Sequence, residues 1–224
     1  MSFRKLKRCR LCNSKNLKLF IDFGKMPLAG GFLSKKQIKY EKLYPMGMQH
    51  CKNCSNVQVD TVIPIDVLFK KYFYFSSTIK TLIKHFQNLS ALISKKFLKE
   101  GGKVLEIGCN DGVFLNHLVK NKKIKCIGVD PAKNVIKKIK NHKINKYNVP
   151  FNFKLAEKIK KKHDKINLIV SSFSFGHIDN MKSVAKGIDF LLDKNGIFIF
   201  EIYYLGTVIK ELQYDMMYHE HMTY

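Results

Sequence analysis

Tryptophan is absent from this chain of 224 residues, and its only arginines are Arg4, Arg8 and Arg10. No apolar run approaches the ~18 residues that would cross a bilayer. The basic amino terminus, Met1 to Arg8, lacks the apolar stretch of a secretory signal. These absences exclude a membrane-spanning helix and leave the cytoplasm as the default location. The shortage of arginine also qualifies the charge. Lys+Arg total 41 against 17 Asp+Glu, a formal net charge of +24, a balance common among nucleic-acid binders. Yet the lysines are spread over nearly the whole chain, and arginine is the better residue for bidentate phosphate and guanine contacts. The charge therefore reads as solvated lysine faces, compatible with an anionic small substrate and arguing against a nucleic-acid partner.

A third glycine is also missing. Lys103-Val104-Leu105-Glu106-Ile107 reads as a strand running into Gly108-Cys109-Asn110-Asp111-Gly112, after which Val113-Phe114-Leu115 open a helix. Such a turn lets backbone N–H groups and a helix N-terminus approach a small molecule closely. Asp130 follows Gly112 by eighteen residues, at the end of a second strand, Lys125 to Val129, where a carboxylate can accept hydrogen bonds from ribose hydroxyls. Gly108 and Gly112 alone do not satisfy the G-x-G-x-x-G dinucleotide pattern. The Glu-x-Gly-x-x-x-Gly loop with an acid ending strand two resembles instead a methyltransferase that uses S-adenosylmethionine.

What is present in pairs is cysteine. Cys9-x-x-Cys12 and Cys51-x-x-Cys54 make two tight knuckles, 38 residues apart, whose four thiolates suit tetrahedral zinc. Two disulfides or redox dithiols are the alternatives; a reducing compartment and the lack of a βαβ pattern here count against them. With four protein ligands the zinc is structural. His50 reads as a surface residue, and a loop or hairpin must project between the pairs. Cys109 and Cys126 read as small buried thiols.

Three segments complete the reading. Tyr72, Tyr74 and Ser76 lie in an aromatic stretch that either lines a pocket or packs on the helix that follows. Ser77 or Thr78 is placed to cap that helix, and its stripe runs through Ile79, Leu82, Ile83, Phe86, Leu89, Leu92, Ile93 and Phe97. Alternating elements then indicate an α/β fold. The strand Lys165 to Val170 leads into Ser171–Ile178, whose Phe173, Phe175 and His177 should face a cofactor, although His177 could equally be structural. The stripe Met181, Val184, Ala185, Ile188, Leu191 and Leu192 is stopped by Asn195-Gly196, before a strand Ile197–Ile202. Last comes Tyr218-His219-Glu220-His221, two imidazoles, a carboxylate and a phenol that could do acid–base work. Exposed terminal residues are the plain alternative, and the spacing does not match a zinc-binding H-E-x-x-H.

Taken in order, these segments, with Pro27-Leu28-Ala29, Tyr44-Pro45 and Gly128-Val129-Asp130-Pro131, resemble the C-methyltransferases that act on nucleotide-linked keto-deoxysugars and carry an amino-terminal four-cysteine zinc module. The resemblance implies an S-adenosylmethionine-dependent enzyme with a Rossmann-like α/β sheet. His221 would remove a proton beside the sugar ketone, Tyr218 and Glu220 would orient it or steady the enolate, and the carbanion would attack the cofactor methyl. Glu106, Gly108, Asn110, Asp111 and Gly112 would hold the methionine end, Asp130 the ribose, and Phe173, Phe175 and His177 would flank cofactor or substrate. Tyr72, Tyr74, Ser76 and His219 are substrate-side candidates. Family members continue past the position of Tyr224. The sheet is therefore expected to be incomplete at its carboxyl-terminal edge, and the chain to associate with a missing carboxyl-terminal portion. The expected organisation is a zinc module over 1–66, a connecting segment over 67–100 and a methyltransferase domain over 101–224. An RNA methyltransferase with a zinc module, or an inactive zinc-stabilised interaction subunit, is the alternative.

Overall fold

The computed structural model describes residues 3–69 and 71–224, which form two compact units. One comprises the residues up to Phe69 together with Gly176–Met181 and Ile202–Tyr224; the other runs from the aromatic segment to Phe175 and includes Lys182–Glu201. No described helix is long and apolar enough to cross a membrane.

In the first unit β1 (Arg4–Lys5) pairs antiparallel with β5 (Thr61–Val62), and β2 (Leu17–Pro27), β3 (Leu43–Cys51) and β4 (Val57–Val59) make an antiparallel sheet in that order. The β2–β3 hairpin is the projection expected between the cysteine pairs. Its tip carries α1 (Lys35–Ile38), whose residues are all exposed, and α2 (Ile65–Phe69) follows β5. Along β3 the inward side chains Met46 and Met48 are buried, and with Val57 and Val59 they pack on Val208 and Met217.

The second unit is built on five parallel strands. Its α3 (Lys80–Phe97) buries Phe86 and Ile93 through the expected stripe, whereas Leu92 and Phe97 are exposed. The anticipated cap does not form. Ser76–Thr78 is a 3-10 turn, Thr78 Oγ1 donates to Phe75 O (2.7 Å), and Ile79 sits at the N-cap without a side-chain bond. The alternation then proceeds through β6 (Gly102–Ile107), α4 (Val113–Leu118), β7 (Ile124–Val129), α5 (Lys133–Ile136), β8 (Ile144–Tyr147), α6 (Phe153–His163), β9 (Ile166–Ser172), α7 (Met181–Leu191) and β10 (Leu192–Glu201). Sheet order is β10-β9-β6-β7-β8. Covered on both faces, its central strands are nearly continuous apolar runs: Val104, Leu105, Ile127, Leu168, Ile169 and Val170 are all fully buried. Because β6 has β7 on one side and β9 on the other, its carboxyl end is a topological switch point, where open α/β sheets bind ligands. β10 starts at Leu192, earlier than Asn195-Gly196 suggested, with a register shift before Ile197. The chain then returns to the first unit through α8 (Leu205–Lys210).

Candidate functional site

The four cysteines come together as their spacing requires. Their sulfurs lie within 4.8 Å of one another, with Cys9–Cys54 and Cys12–Cys51 both at 3.6 Å. A tetrahedral zinc with bonds of ~2.3 Å needs sulfurs ~3.8 Å apart. The knuckles match in detail: Asn13 N donates to Cys9 O and Ser55 N to Cys51 O, each at 2.9 Å, and Asn13 and Ser55 both take positive φ. All six cysteines are free thiols, and His50 is not in the cluster. The set fits a closed structural zinc site.

In the second unit the loop after β6 is shaped by contact. Gly108 has φ +76°, and a Cβ there would come within 2.3 Å of the Ser174 side chain, whose Oγ donates to Ile107 O (2.7 Å). Gly112, at φ +79°, leaves a Cβ 2.9 Å from Ile139. Asn110 organises what lies around the loop. Its Oδ1 accepts from Ser76 N (3.0 Å) and Asp111 N (2.9 Å), and its Nδ2 donates to Tyr74 O (3.0 Å). Asp111 Oδ2 accepts from Ser77 N at 3.2 Å. Tyr72 is tied through its backbone to the Asn134 side chain. The aromatic segment is thus laced to the cofactor loop by main-chain bonds, with the Tyr74 ring exposed and Ser76 buried.

Carboxylates gather at the carboxyl ends of three strands. Glu106 ends buried on β6, and Asp130 follows β7, its oxygens accepting from Asn110 N (2.9 Å) and Ala132 N (2.8 Å). Glu201 closes β10 and meets His85 Nε2 at 2.7 Å. Burial, then repulsion from Asp130, Asp111 and Glu201, pushes the Glu106 carboxyl well above the usual carboxylate range. Asp130 is also raised, chiefly by burial, against the pull of its two backbone donors. Glu106 Oε2, Asp111 Oδ1 and Glu201 Oε2 are buried without a hydrogen-bond partner. Orphaned acceptors of this kind fit a ligand bearing positive charge and hydroxyl or amino donors, as S-adenosylmethionine does. Sequence reading missed Glu201 and His85. Glu201 was accessible to the rule that singled out Asp130, an acid ending a core strand; His85 was not, since only folding brings α3 to β10.

Phe173 takes φ +55° and its N–H donates to Glu201 O (2.9 Å), while the Phe175 ring packs on Phe198 and Phe200 at 5.6 and 5.7 Å. His177 belongs to the first unit and meets the terminal cluster there.

That cluster is held by strand-like pairing. Val59 N donates to Met222 O (3.1 Å), Tyr224 N to Val57 O (3.0 Å), and Met222 N to Gly176 O (2.8 Å). His221 Nδ1 lies 2.7 Å from Met216 O. A carbonyl can only accept, so Nδ1 carries the proton and the neutral ring keeps its lone pair on Nε2, a buried atom with no partner. Around this ring stand Tyr218 (4.0 Å between centroids), Tyr203 (4.4 Å), His177 (5.0 Å, stacked) and Tyr224 (6.2 Å). Burial lowers His221 to about 4 against the opposing Met216 bond, and burial with the His221 charge lowers His177 to about 3. Glu220 is buried. His219 is buried, its Nε2 donating to Pro45 O (3.2 Å) beside the Tyr44 ring and its Nδ1 without a hydrogen-bond partner. Arg10, inside the first knuckle, reaches Asp179 Oδ1 (3.2 Å) and Val59 O (3.1 Å), and Arg4 takes Asp179 Oδ2 (2.7 Å). Tyr203, Asp179 and Arg10 carried no sequence signal as members of this cluster.

Comparison with known proteins agrees with both halves of this picture. A methyltransferase domain family model matches residues 79–224, and a zinc binding domain model matches residues 9–69. The C-methyltransferase NovU of Streptomyces niveus is 30% identical over 223 residues, covering 99% of this chain and 53% of that protein. The chain therefore spans about half the length of its curated relative. Among solved structures, the PH0226 protein of Pyrococcus horikoshii OT3 is similar in fold, with TM-score 0.50, 20% identity and coverage of 63% of this chain and 67% of that one. The plantazolicin methyltransferase BpumL in complex with SAH aligns at TM-score 0.49 and 16% identity, over 60% of this chain and 52% of that one. With the cofactor loop, the orphaned carboxylates and the four-cysteine cluster, the family match places this chain in the S-adenosylmethionine-dependent methyltransferase family, joined to a structural zinc-binding domain.

Proposed function

We propose that the protein is a C-methyltransferase acting on a nucleotide-activated keto-deoxysugar, with His221 as the base that removes the proton beside the ketone. The observation that carries this reading is the fixed tautomer of His221, whose Nε2 lone pair is buried, unpartnered and ringed by tyrosines. Support for methylation at carbon comes from the likeness to the C-methyltransferase NovU, and support for the substrate class from the order of sequence motifs. A carbon becomes a nucleophile only after losing a proton, and a neighbouring ketone spreads the resulting charge onto oxygen. The base must therefore be unprotonated at working pH, a condition that an imidazole lowered to about 4 meets. Tyr218, whose ring lies tilted against His221, and Glu220 are assigned to orienting the base and steadying the enolate. Glu106, Gly108, Asn110, Asp111 and Gly112 are assigned to the methionine end of the cofactor, Asp130 to its ribose, and Phe173, Phe175 and His177 to flanking positions. Tyr72, Tyr74, Ser76 and His219 are assigned to the substrate side. When bound, S-adenosylmethionine supplies an electrophilic methyl group, and the chain supplies binding, orientation and proton removal.

The test is deuterium exchange. The protein is incubated in D2O with a nucleotide-linked 4-keto-6-deoxysugar, without cofactor, and loss of the proton beside the ketone is followed by NMR. Enzyme-dependent exchange that falls at least ~100-fold in His221→Ala supports the reading; exchange unchanged in that variant removes His221 from the role.

A further inference from the structure

The second unit has a cleft of about 800 Å3 at the amino ends of its parallel strands. Its walls hold Lys103 on β6 and Lys125 on β7, Lys122 and Lys143 in the turns entering β7 and β8, and Lys160, Lys161 and Lys162 in the last turn of α6. Asp164 is the only acid in the lining. Among the described residues none of these seven ammonium groups has a carboxylate at ion-pair distance, and only Lys160 is otherwise engaged, 4.1 Å over the Phe190 ring. Compensation of a helix C-terminus accounts for cations on α6. It does not account for Lys103, Lys122, Lys125 and Lys143, which line the cleft from three other segments.

His163 reports the resulting field. Paired with Tyr147 Oη at 3.0 Å, its imidazole is lowered first by burial and then by Lys162, Lys103 and Lys125. Beneath the lysines lie Val119, Ile124 and Ile127. The cofactor loop is at the other end of β6, a six-residue strand spanning roughly 20 Å. The cleft is a separate place with separate chemistry.

We propose that this cleft binds a compact polyphosphate, two or three contiguous phosphate groups held by lysine ammonium ions, at a site distinct from the cofactor loop. Its volume falls in the range of small-ligand pockets, roughly 300–1,000 Å3. A half-open cleft of this size suits a short anion better than the long track a nucleic-acid backbone follows. Lysine gives mobile point charges suited to phosphate, without the flat fork that reads bases.

The test titrates the zinc-loaded full chain with sodium tripolyphosphate, and in a parallel arm with ATP, by calorimetry at ~0.1 M salt, where distant surface charges are screened. Saturable binding below roughly 1 mM is expected. It should weaken at least tenfold, about 1.4 kcal/mol, in Lys103→Gln/Lys125→Gln/Lys162→Gln and separately in Lys122→Gln/Lys143→Gln, but not in Lys35→Gln/Lys36→Gln/Lys39→Gln at the hairpin tip. The His163 ring resonances should move, and its pKa should rise on saturation as phosphate cancels the lysine field. Equal affinity for the two anions assigns the phosphate chain alone; tighter ATP binding shows that the cleft holds the nucleoside as well as the phosphates. The proposal is overturned by the absence of saturable binding, by equal losses in the hairpin-tip variant, or by an RNA of about 20 nucleotides binding more tightly than either probe through the same lysines.

Discussion

The carboxylates around the cofactor loop and the histidines of the terminal cluster are built on opposite electrostatic plans. Glu106 and Asp130 are buried acids pushed up, first by loss of water and then by repulsion from neighbouring carboxylates, while His177 and His221 are buried bases pushed down. Both arrangements favour a neutral group at some cost. In the first the cost is offset by whatever brings positive charge and donors to the orphaned oxygens. In the second the cost secures an imidazole that stays unprotonated in mildly acid solution. The proposed binding site and the proposed proton acceptor thus differ in their marks: unsatisfied acceptors on one side, a fixed tautomer with a bare lone pair on the other.

The broadest separation of the two regions comes from the metal. Zinc binding by four thiolates contributes on the order of 10 kcal/mol to folding. Chelation, or Cys9→Ser/Cys51→Ser, should abolish hydrogen-exchange protection at Val57 and Val59 while leaving Val104 and Leu105 protected. Loss of protection in both regions alike would show that the two do not fold independently.

Acid should divide them next. An unfolded histidine protonates near 6.5, whereas His221 and His177 do so near 4 and 3. Their neutral burial contributes stability that is complete above pH ~6.5 and is lost as pH falls through those values, on the order of 3 kcal/mol for His221. Glu106, with a raised folded value, acts in the reverse sense, and its cost is relieved as pH falls. Exchange measured between about pH 6.5 and 4 should therefore rise at Val57 and Val59 before it rises at Val104. Ring titration of His221 near its ordinary value would refute the assigned burial.

A smaller effect isolates Glu106. Glu106→Gln removes a buried carboxyl whose ionised form is repelled by its neighbours, so at a pH high enough to populate that form the ligand-free protein should melt a few degrees higher, while affinity for S-adenosylhomocysteine falls about 10–100-fold, or 1.4–2.7 kcal/mol. Both shifts are read from one calorimetric and one melting series; a lower melting point would contradict the repulsion argument. Smallest is the contrast between the two arginines on Asp179. Arg4 is exposed and Arg10 buried, so Arg4→Ala should cost under about 1 kcal/mol in chemical denaturation and Arg10→Ala clearly more.

The parts legible in the sequence were those whose chemistry is local. Two knuckles are each closed by a hydrogen bond spanning four residues, so the C-x-x-C spacing carries their geometry. The loop from Glu106 to Gly112 is likewise one strand, one turn and one helix start. Less visible was whatever depends on distant chain segments meeting. No local pattern says that His85 will meet Glu201, that Arg10 will meet Asp179, or that His177 will stack on His221. The helix stripe failed at Leu92 and Phe97 for a related reason: periodicity identifies an apolar face, but the partner surface decides how much of it is covered.

The bridge between Gln58 and Thr223, with the bonds flanking it, has a consequence for synthesis. The edge of β4 leaves the ribosome early, but the segment that pairs with it is made more than 160 residues later. At ~5–20 residues per second that interval is roughly 8 to 33 seconds. During it the knuckles can take up zinc and the whole parallel sheet can form, yet β4 offers its free N–H and C=O groups to any passing strand. The nascent first unit is a host waiting for a strand made much later.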